Sequence, residues 1–205
     1  MTALALTAIT DFALGAEGLA LGWLLARRPK DRDSAAWFWS AVMLLAGLGA
    51  VLGGIDHGIF EPAGLPRYWI QRSTWIAVGV MTFCVLLTTS RQFFPARWQT
   101  VALAIGAVQF AGSTIAEILI DDFRIVILNY APVMLLLLAL SIVGLRRGIG
   151  SLAMIAGIAI QFAASAIQAS GFDALAPLDH NGLYHLLSMI GMVFLYAAGK
   201  KLRVK

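Results

Sequence analysis

Residues 124–171, RIVILNYAPVMLLLLALSIVGLRRGIGSLAMIAGIAIQFAASAIQASG, hold two apolar runs of about 20 residues separated by a short basic break, RRGIGS. A bilayer core is spanned by roughly 20 consecutive apolar residues in a helix, so this stretch reads as two membrane helices joined by a tight turn. The pattern repeats along the whole chain of 205 residues, of which 60% are hydrophobic and 13% charged. Seven runs emerge, near 4–26, 35–57, 70–90, 98–119, 124–145, 149–171 and 180–199. They are long, continuous and rich in Leu, Ala, Ile and Val, which excludes the short alternating segments of a membrane β-barrel. The expected fold class is therefore an all-α integral membrane protein, one seven-helix domain over residues 1–205.

The breaks RRPKDRDS, FEPAGLPR, RQFFPARW, IDDFR, RRGIGS and FDALAPLD are short enough to make consecutive helices antiparallel neighbours. With the N-terminus outside, twelve of the fifteen Lys and Arg residues fall on the inner side, and Arg67, Arg72 and Arg124 on the outer. The positive-inside rule then gives N-out and C-in, in a cell membrane of bacterial inner-membrane type. Basic residues confined to juxtamembrane turns make no folded basic face, so nucleic acid is not an expected partner. The N-terminal stretch carries Asp11 and Glu17 and lacks a basic start, which argues for a first span and against a cleaved signal peptide. One cysteine, Cys84, allows no disulfide within the chain. The six tryptophans mostly lie near helix ends, as interfacial anchors do, and GLGAVLGG at 47–54 reads as a close helix contact.

Ionisable groups inside a span are costly and point to function. Asp11 lies in the outer half of helix 1 and Glu17 near its middle; helix 2 ends with Asp56 and His57. Glu117 lies near the end of helix 4, Asn129 follows the start of helix 5, and Gln161, Ser165 and Gln168 rise through helix 6. Helix 7 opens with Asp179, His180, Asn181 and His185. Six helices thus bring polar groups to one outer zone, expected to be a cavity open to the outside.

Three imidazoles beside carboxylates, His57, His180 and His185, are the side chains of a zinc shell with an open position for water. His180 and His185 are five apart, about 140° around a regular helix, whereas ligands on one helix usually sit four apart. Either His180 lies on the helix entry and folds back, or Asn181 and His185 form the pair while Asp179 or His180 caps the helix.

A histidine at the outer end of helix 2 (GGIDHG), a histidine-rich start to helix 7 (HNGLYHLLSMIG) and an N-out seven-helix bundle resemble the alkaline ceramidase, adiponectin-receptor and Per1-like superfamily of membrane hydrolases. The resemblance spans the topology of the chain and is motif-level at those two places. It implies zinc held by His57, His185 and His180, with hydrolysis of a lipid amide or related amphiphile entering from the outer leaflet. That superfamily's serine four residues before the helix-2 histidine is Gly53 here, and its helix-3 acid has no counterpart in RYWIQRSTWIAVGV. Asp11, Asp56 or Glu117 is left to take the acid's part, accepting the proton of the attacking water.

Two other readings use the same residues. A non-enzymatic, receptor-like bundle would hydrogen-bond a lipid headgroup or small ligand through them. A proton or ion carrier would employ Glu17, deep in helix 1. A retinal protein is excluded, because the last helix has no buried lysine for a Schiff base; Lys200 and Lys201 stand at its end.

Overall fold

A computed structural model describes residues 2–28, 31–172 and 178–204. Most of the 172–179 break lies outside the described residues, as do Lys30 and Lys205 of the charge pattern. Among the described residues there are seven long helices and no strand: α1 (Ala3–Ala26), α2 (Ala35–Ile55), α3 (Tyr68–Phe93), α4 (Ala96–Leu119), α5 (Arg124–Leu145), α6 (Leu152–Ser170) and α7 (His180–Gly199). All seven are long and apolar enough to cross a membrane, α2 together with the turn that extends it.

Local chemistry starts several of them. Thr2, Ser34, Ser151 and Asp179 accept from a backbone N–H three residues on and so cap α1, α2, α6 and α7. Helix α6 begins at Leu152, three residues later than the apolar pattern suggested, because Ser151 takes the cap position. Its other end closes on Gly171 in the left-handed conformation.

Helix α2 does not stop at its expected end. A π-helical turn, Asp56–Phe60, carries it on, with the Glu61 N–H donating to the Asp56 carbonyl at 2.9 Å. Such turns re-aim side chains and recur at functional sites. This one carries Asp56 and His57.

Consecutive helices run antiparallel, and α1 lies parallel to α7. Gly15, Gly18 and Gly22 of α1 stack against Val51, Gly47 and Leu44 of α2; a Cβ on Gly47 would stand 2.6 Å from the Leu19 nitrogen. Gly47 thus bears out the expected close contact, whereas Gly49 of the same motif meets nothing within 4 Å. Helix α3 has the largest buried share and α4, which packs chiefly on α3 and α5, the smallest.

The core joins α1, α2, α3, α5, α6 and α7 around Trp39, Met43, Leu137 and Ile158. Trp39 departs from the expected tryptophan belt: it is fully buried, and its indole N–H donates to the Leu195 carbonyl at 3.0 Å. Trp75 is also buried, while Trp23, Trp69 and Trp98 stand exposed near helix ends.

The bundle has two chemically distinct ends. One, where α1 starts, gathers Asp56, Glu61, Asp121, Asp122 and Asp179; the other carries most of the arginines and lysines. Chain segment 200–204 folds under the basic end, where the Ala36 N–H donates to the Arg203 carbonyl and Arg203 N–H to Gln92 Oε1.

Candidate functional site

At the acidic end α1, α2 and α7 meet, and their polar residues form one hydrogen-bonded cluster. Asp11 is 4% exposed. Its Oδ2 accepts from His57 Nδ1 at 2.9 Å and its Oδ1 from His185 Nε2 at 3.0 Å. A buried carboxylate is tolerated only when its lone pairs find donors, and here two imidazoles from different helices supply them.

Each imidazole has an oxygen on its far side. His185 Nδ1 lies 2.9 Å from Thr10 Oγ1, and Thr10 is also 3.0 and 2.9 Å from the Leu6 and Thr7 carbonyls. With Nε2–H committed to Asp11, a neutral His185 accepts the Thr10 hydroxyl at Nδ1. A doubly protonated ring donates to Thr10 instead, and the hydroxyl turns to a carbonyl. Thr10 therefore serves both protonation states without moving its oxygen. His57 Nε2 faces Glu61 Oε2 at 4.0 Å. His57 is partly open to the surface, with 26% of its side chain exposed against 5% for His185.

Gly53 explains how Asp11 enters. A Cβ built there would lie 3.1 Å from Asp11 Oδ1. The missing side chain of Gly53 thus makes room for the helix-1 carboxylate. Thr7 adds a tie to α7, donating to the Asp179 carboxylate at 3.0 Å while Asp179 caps that helix through the Gly182 N–H at 2.8 Å.

The remaining expected site residues lie apart. Asp56 is buried but bound bidentately by Arg67, Nε to Oδ1 at 2.7 Å and Nη2 to Oδ2 at 2.8 Å. Glu61 takes a second bond from Arg67 Nη2 at 2.9 Å. An acid so paired ties the end of α2 to the turn that follows it. Glu117 is on α4, which packs chiefly on α3 and α5, away from the α1–α7 contact. It is 0% exposed, and neither of its carboxyl oxygens has a hydrogen-bond partner. Arg72 is its charged neighbour; that guanidinium is held by Asp121 at 2.9 Å and lies over the rings of Tyr68 and Trp75 at 4.6 and 4.1 Å.

His180 is the first residue of α7, so neither a folded-back entry nor a cap role describes it; Asp179 is the cap. Asn181, the alternative partner of His185, accepts from Gln168 Nε2 at 3.1 Å on α6. The other polar groups expected at this end pair locally: besides the imidazole cluster, Gln109 donates to Asn129, Tyr130 meets Ser165, and Gln161 donates to the Ser188 carbonyl. Each of these buried groups pairs with one on the adjacent helix.

The donor types of a zinc site with two histidines and one carboxylate are present in His57, His185 and Asp11, and the oxygen partners on the far ring nitrogens are those that ligating imidazoles use. The distances between them are hydrogen-bond distances. Among the described residues no group of three His, Cys, Asp or Glu side chains is gathered as a metal ion would need.

Residues 6–204 match the model of a family described as "Family of unknown function (DUF6962)". The chain belongs to this family. No curated protein and no solved structure matches it. Sequence reasoning missed Thr10 as the partner of His185 and Arg67 as the partner of Asp56. A threonine one residue before an intramembrane aspartate was the available signal for the first; for the second, the arginine eleven residues on was visible but its fold-back through the π-helical turn was not.

Proposed function

We propose that this chain is an integral membrane protein with its N-terminus outside and C-terminus inside, and that His57, Asp11 and His185 form its working centre near the outer surface. The membrane reading is supported by seven apolar helices and by the side chains on their outward faces, where Leu119, Val108, Leu128 and Leu152 are each more than 70% exposed. The orientation is supported by the concentration of arginine and lysine at one end.

The function proposed for this centre is zinc-dependent hydrolysis of a lipid amide or related amphiphile that enters from the outer leaflet. One observation carries it: a carboxylate 4% exposed, inside a span, engaged at both oxygens by imidazoles from two other helices. His57 and His185 would supply the nitrogen ligands and Asp11 the oxygen. Zinc, when bound, lowers the pKa of its water to about 7 and polarises a carbonyl. Thr10 fixes the ring of His185. The partly open face of His57 is the side from which substrate and water reach the cluster.

A second reading is favoured by the fact that Asp11 already satisfies both rings. In it the cluster is a binding site for a polar headgroup or small ligand, with no metal and no reaction.

Elemental analysis of the purified protein decides between them. The hydrolase reading expects stoichiometric zinc that falls away in His57→Ala and His185→Ala. Protein free of zinc, or zinc undiminished in both variants, overturns it; ligand binding that survives chelation then selects the second reading.

A further inference from the structure

At the basic end, on the opposite side of the molecule from the imidazole cluster, α3, α4 and α5 leave a slot of 490 Å³ between them. Leu86 of α3, Phe94 and Pro95 of the following turn, Trp98 and Ile105 of α4 and Leu136 of α5 line it, and its walls are apolar. The slot lies where α4 rests chiefly on α3 and α5, with Pro95 capping the start of α4. The small side chain of Ala102 leaves room in its wall.

Its depth follows from helix geometry. Ile105 lies eight residues along α4 from Arg97, and Leu136 ten residues along α5 from Arg146, about 12 and 15 Å at a rise of about 1.5 Å per residue. The slot therefore runs from the basic end well into the apolar part of the bundle.

Arginines stand on the ends of the helices that line it. Arg97 precedes Trp98 on the first turn of α4, and Arg146 and Arg147 follow the end of α5, which packs there against Phe93 through Gly144. All three arginines are exposed. Among the described residues none of their side chains has a hydrogen bond, an ion pair or an aromatic partner. The neighbouring Arg91 is different: Asp33 and Gln99 hold it at 2.7 and 2.8 Å, and Asp33 is thereby occupied. Three unneutralised guanidinium groups above an apolar slot complement a molecule with an anionic head and a hydrocarbon tail. Basic pockets between membrane helices bind anionic lipid headgroups in this way.

We propose that this slot binds an acyl chain of an anionic phospholipid whose headgroup is held by Arg97, Arg146 and Arg147. The site rests on the membrane reading alone and is independent of any chemistry at His57, Asp11 and His185. Zwitterionic lipids share the tail and lack the net charge, so they occupy it more weakly.

Trp98, in the slot wall, reports occupancy. The full chain is reconstituted in phosphatidylcholine vesicles containing a fixed fraction of either brominated phosphatidylglycerol or brominated phosphatidylcholine, and tryptophan quenching is compared with that of Trp98→Phe to isolate the Trp98 signal. The expected result is stronger quenching by the brominated phosphatidylglycerol, declining as salt is raised. Substituting one of the arginines by glutamine lowers the preference about five-fold, and R97Q/R146Q/R147Q abolishes it. Equal quenching by the two lipids at low salt, a preference insensitive to salt, or no quenching of Trp98 by either would overturn the proposal. The salt titration uses the unaltered protein, so it tests the proposal even where the triple variant fails to insert.

Discussion

Replacing Asp11 by alanine removes the acceptor shared by two imidazoles, and the two rings do not lose equally. His57, a quarter exposed, regains hydrogen bonds from water. His185, with 5% of its side chain exposed, keeps a buried Nε2–H that nothing else accepts. An orphaned buried donor costs about 1–3 kcal/mol, and breaking a buried charged pair about 3–5 kcal/mol. The water available to His57 places the total near the lower end, about 3 kcal/mol. Asparagine fills the same space: its Oδ1 accepts from one ring and its Nδ2 donates to the other, whose tautomer adapts. Asp11→Asn should therefore cost only about 1 kcal/mol, the difference between a charged and a neutral hydrogen bond. Unfolding equilibria of the purified protein in mixed micelles would show the two variants apart by about 2 kcal/mol, roughly thirty-fold in the unfolding constant. An alanine variant within about 0.5 kcal/mol of the parent, or an asparagine variant as damaged as the alanine one, would refute the reasoning that Asp11 is held by both rings.

Gly47→Val forces a side chain into backbone 2.6 Å from its Cβ, so α1 and α2 must separate; a loss of several kcal/mol is expected in the same unfolding assay, while Gly49→Ala, which meets nothing, should be near neutral. Glu117→Gln replaces a buried carboxylate lacking hydrogen-bond partners by a neutral isostere, and the variant should be as stable as the parent or about 1 kcal/mol more so; a marked loss would reveal a partner for that carboxylate. Arg67→Gln strips both hydrogen bonds from buried Asp56 and is expected to cost about 3 kcal/mol, read by thermal unfolding against Arg124→Gln as an exposed control. In the turn before α5, Arg124 holds the Asp122 carboxyl below the ordinary aspartate range through its side-chain and then its backbone hydrogen bond. That pair contributes above the ordinary aspartate value and is lost as pH falls through the depressed one, so Arg124→Gln should move the Asp122 titration upward in a carboxyl-resolved NMR experiment.

The apolar runs were read from the sequence to within a few residues at nearly every helix end, because a lipid-spanning helix must satisfy its backbone internally and advertise itself as an unbroken apolar stretch. The exceptions have local causes. Ser151 caps α6 late, and the i to i+5 bond at Asp56–Glu61 carries α2 past His57. Trp39 sits mid-core because Gly199 offers it space across the bundle, which spacing along one helix does not reveal. Asp11, His57 and His185 were each visible as expensive residues in a span. That Asp11 would sit between the two rings, with Asp56 drawn off by Arg67 and Glu117 on the far side of α3, was not.

What the sequence determined alone is the list of seven helices, their alternation and the segregation of arginine and lysine to one end, since these depend only on local hydropathy, turn length and charge. Which polar group meets which depends on helix rotation and depth, and those are set by packing: the stacked glycines of α1 and α2, the parallel seating of α7 on α1, and the gap left by Gly53. A rotation of one helix by a single residue turns a side chain through about 100°. Only the assembled bundle therefore decides that a carboxylate from α1 joins imidazoles from α2 and α7.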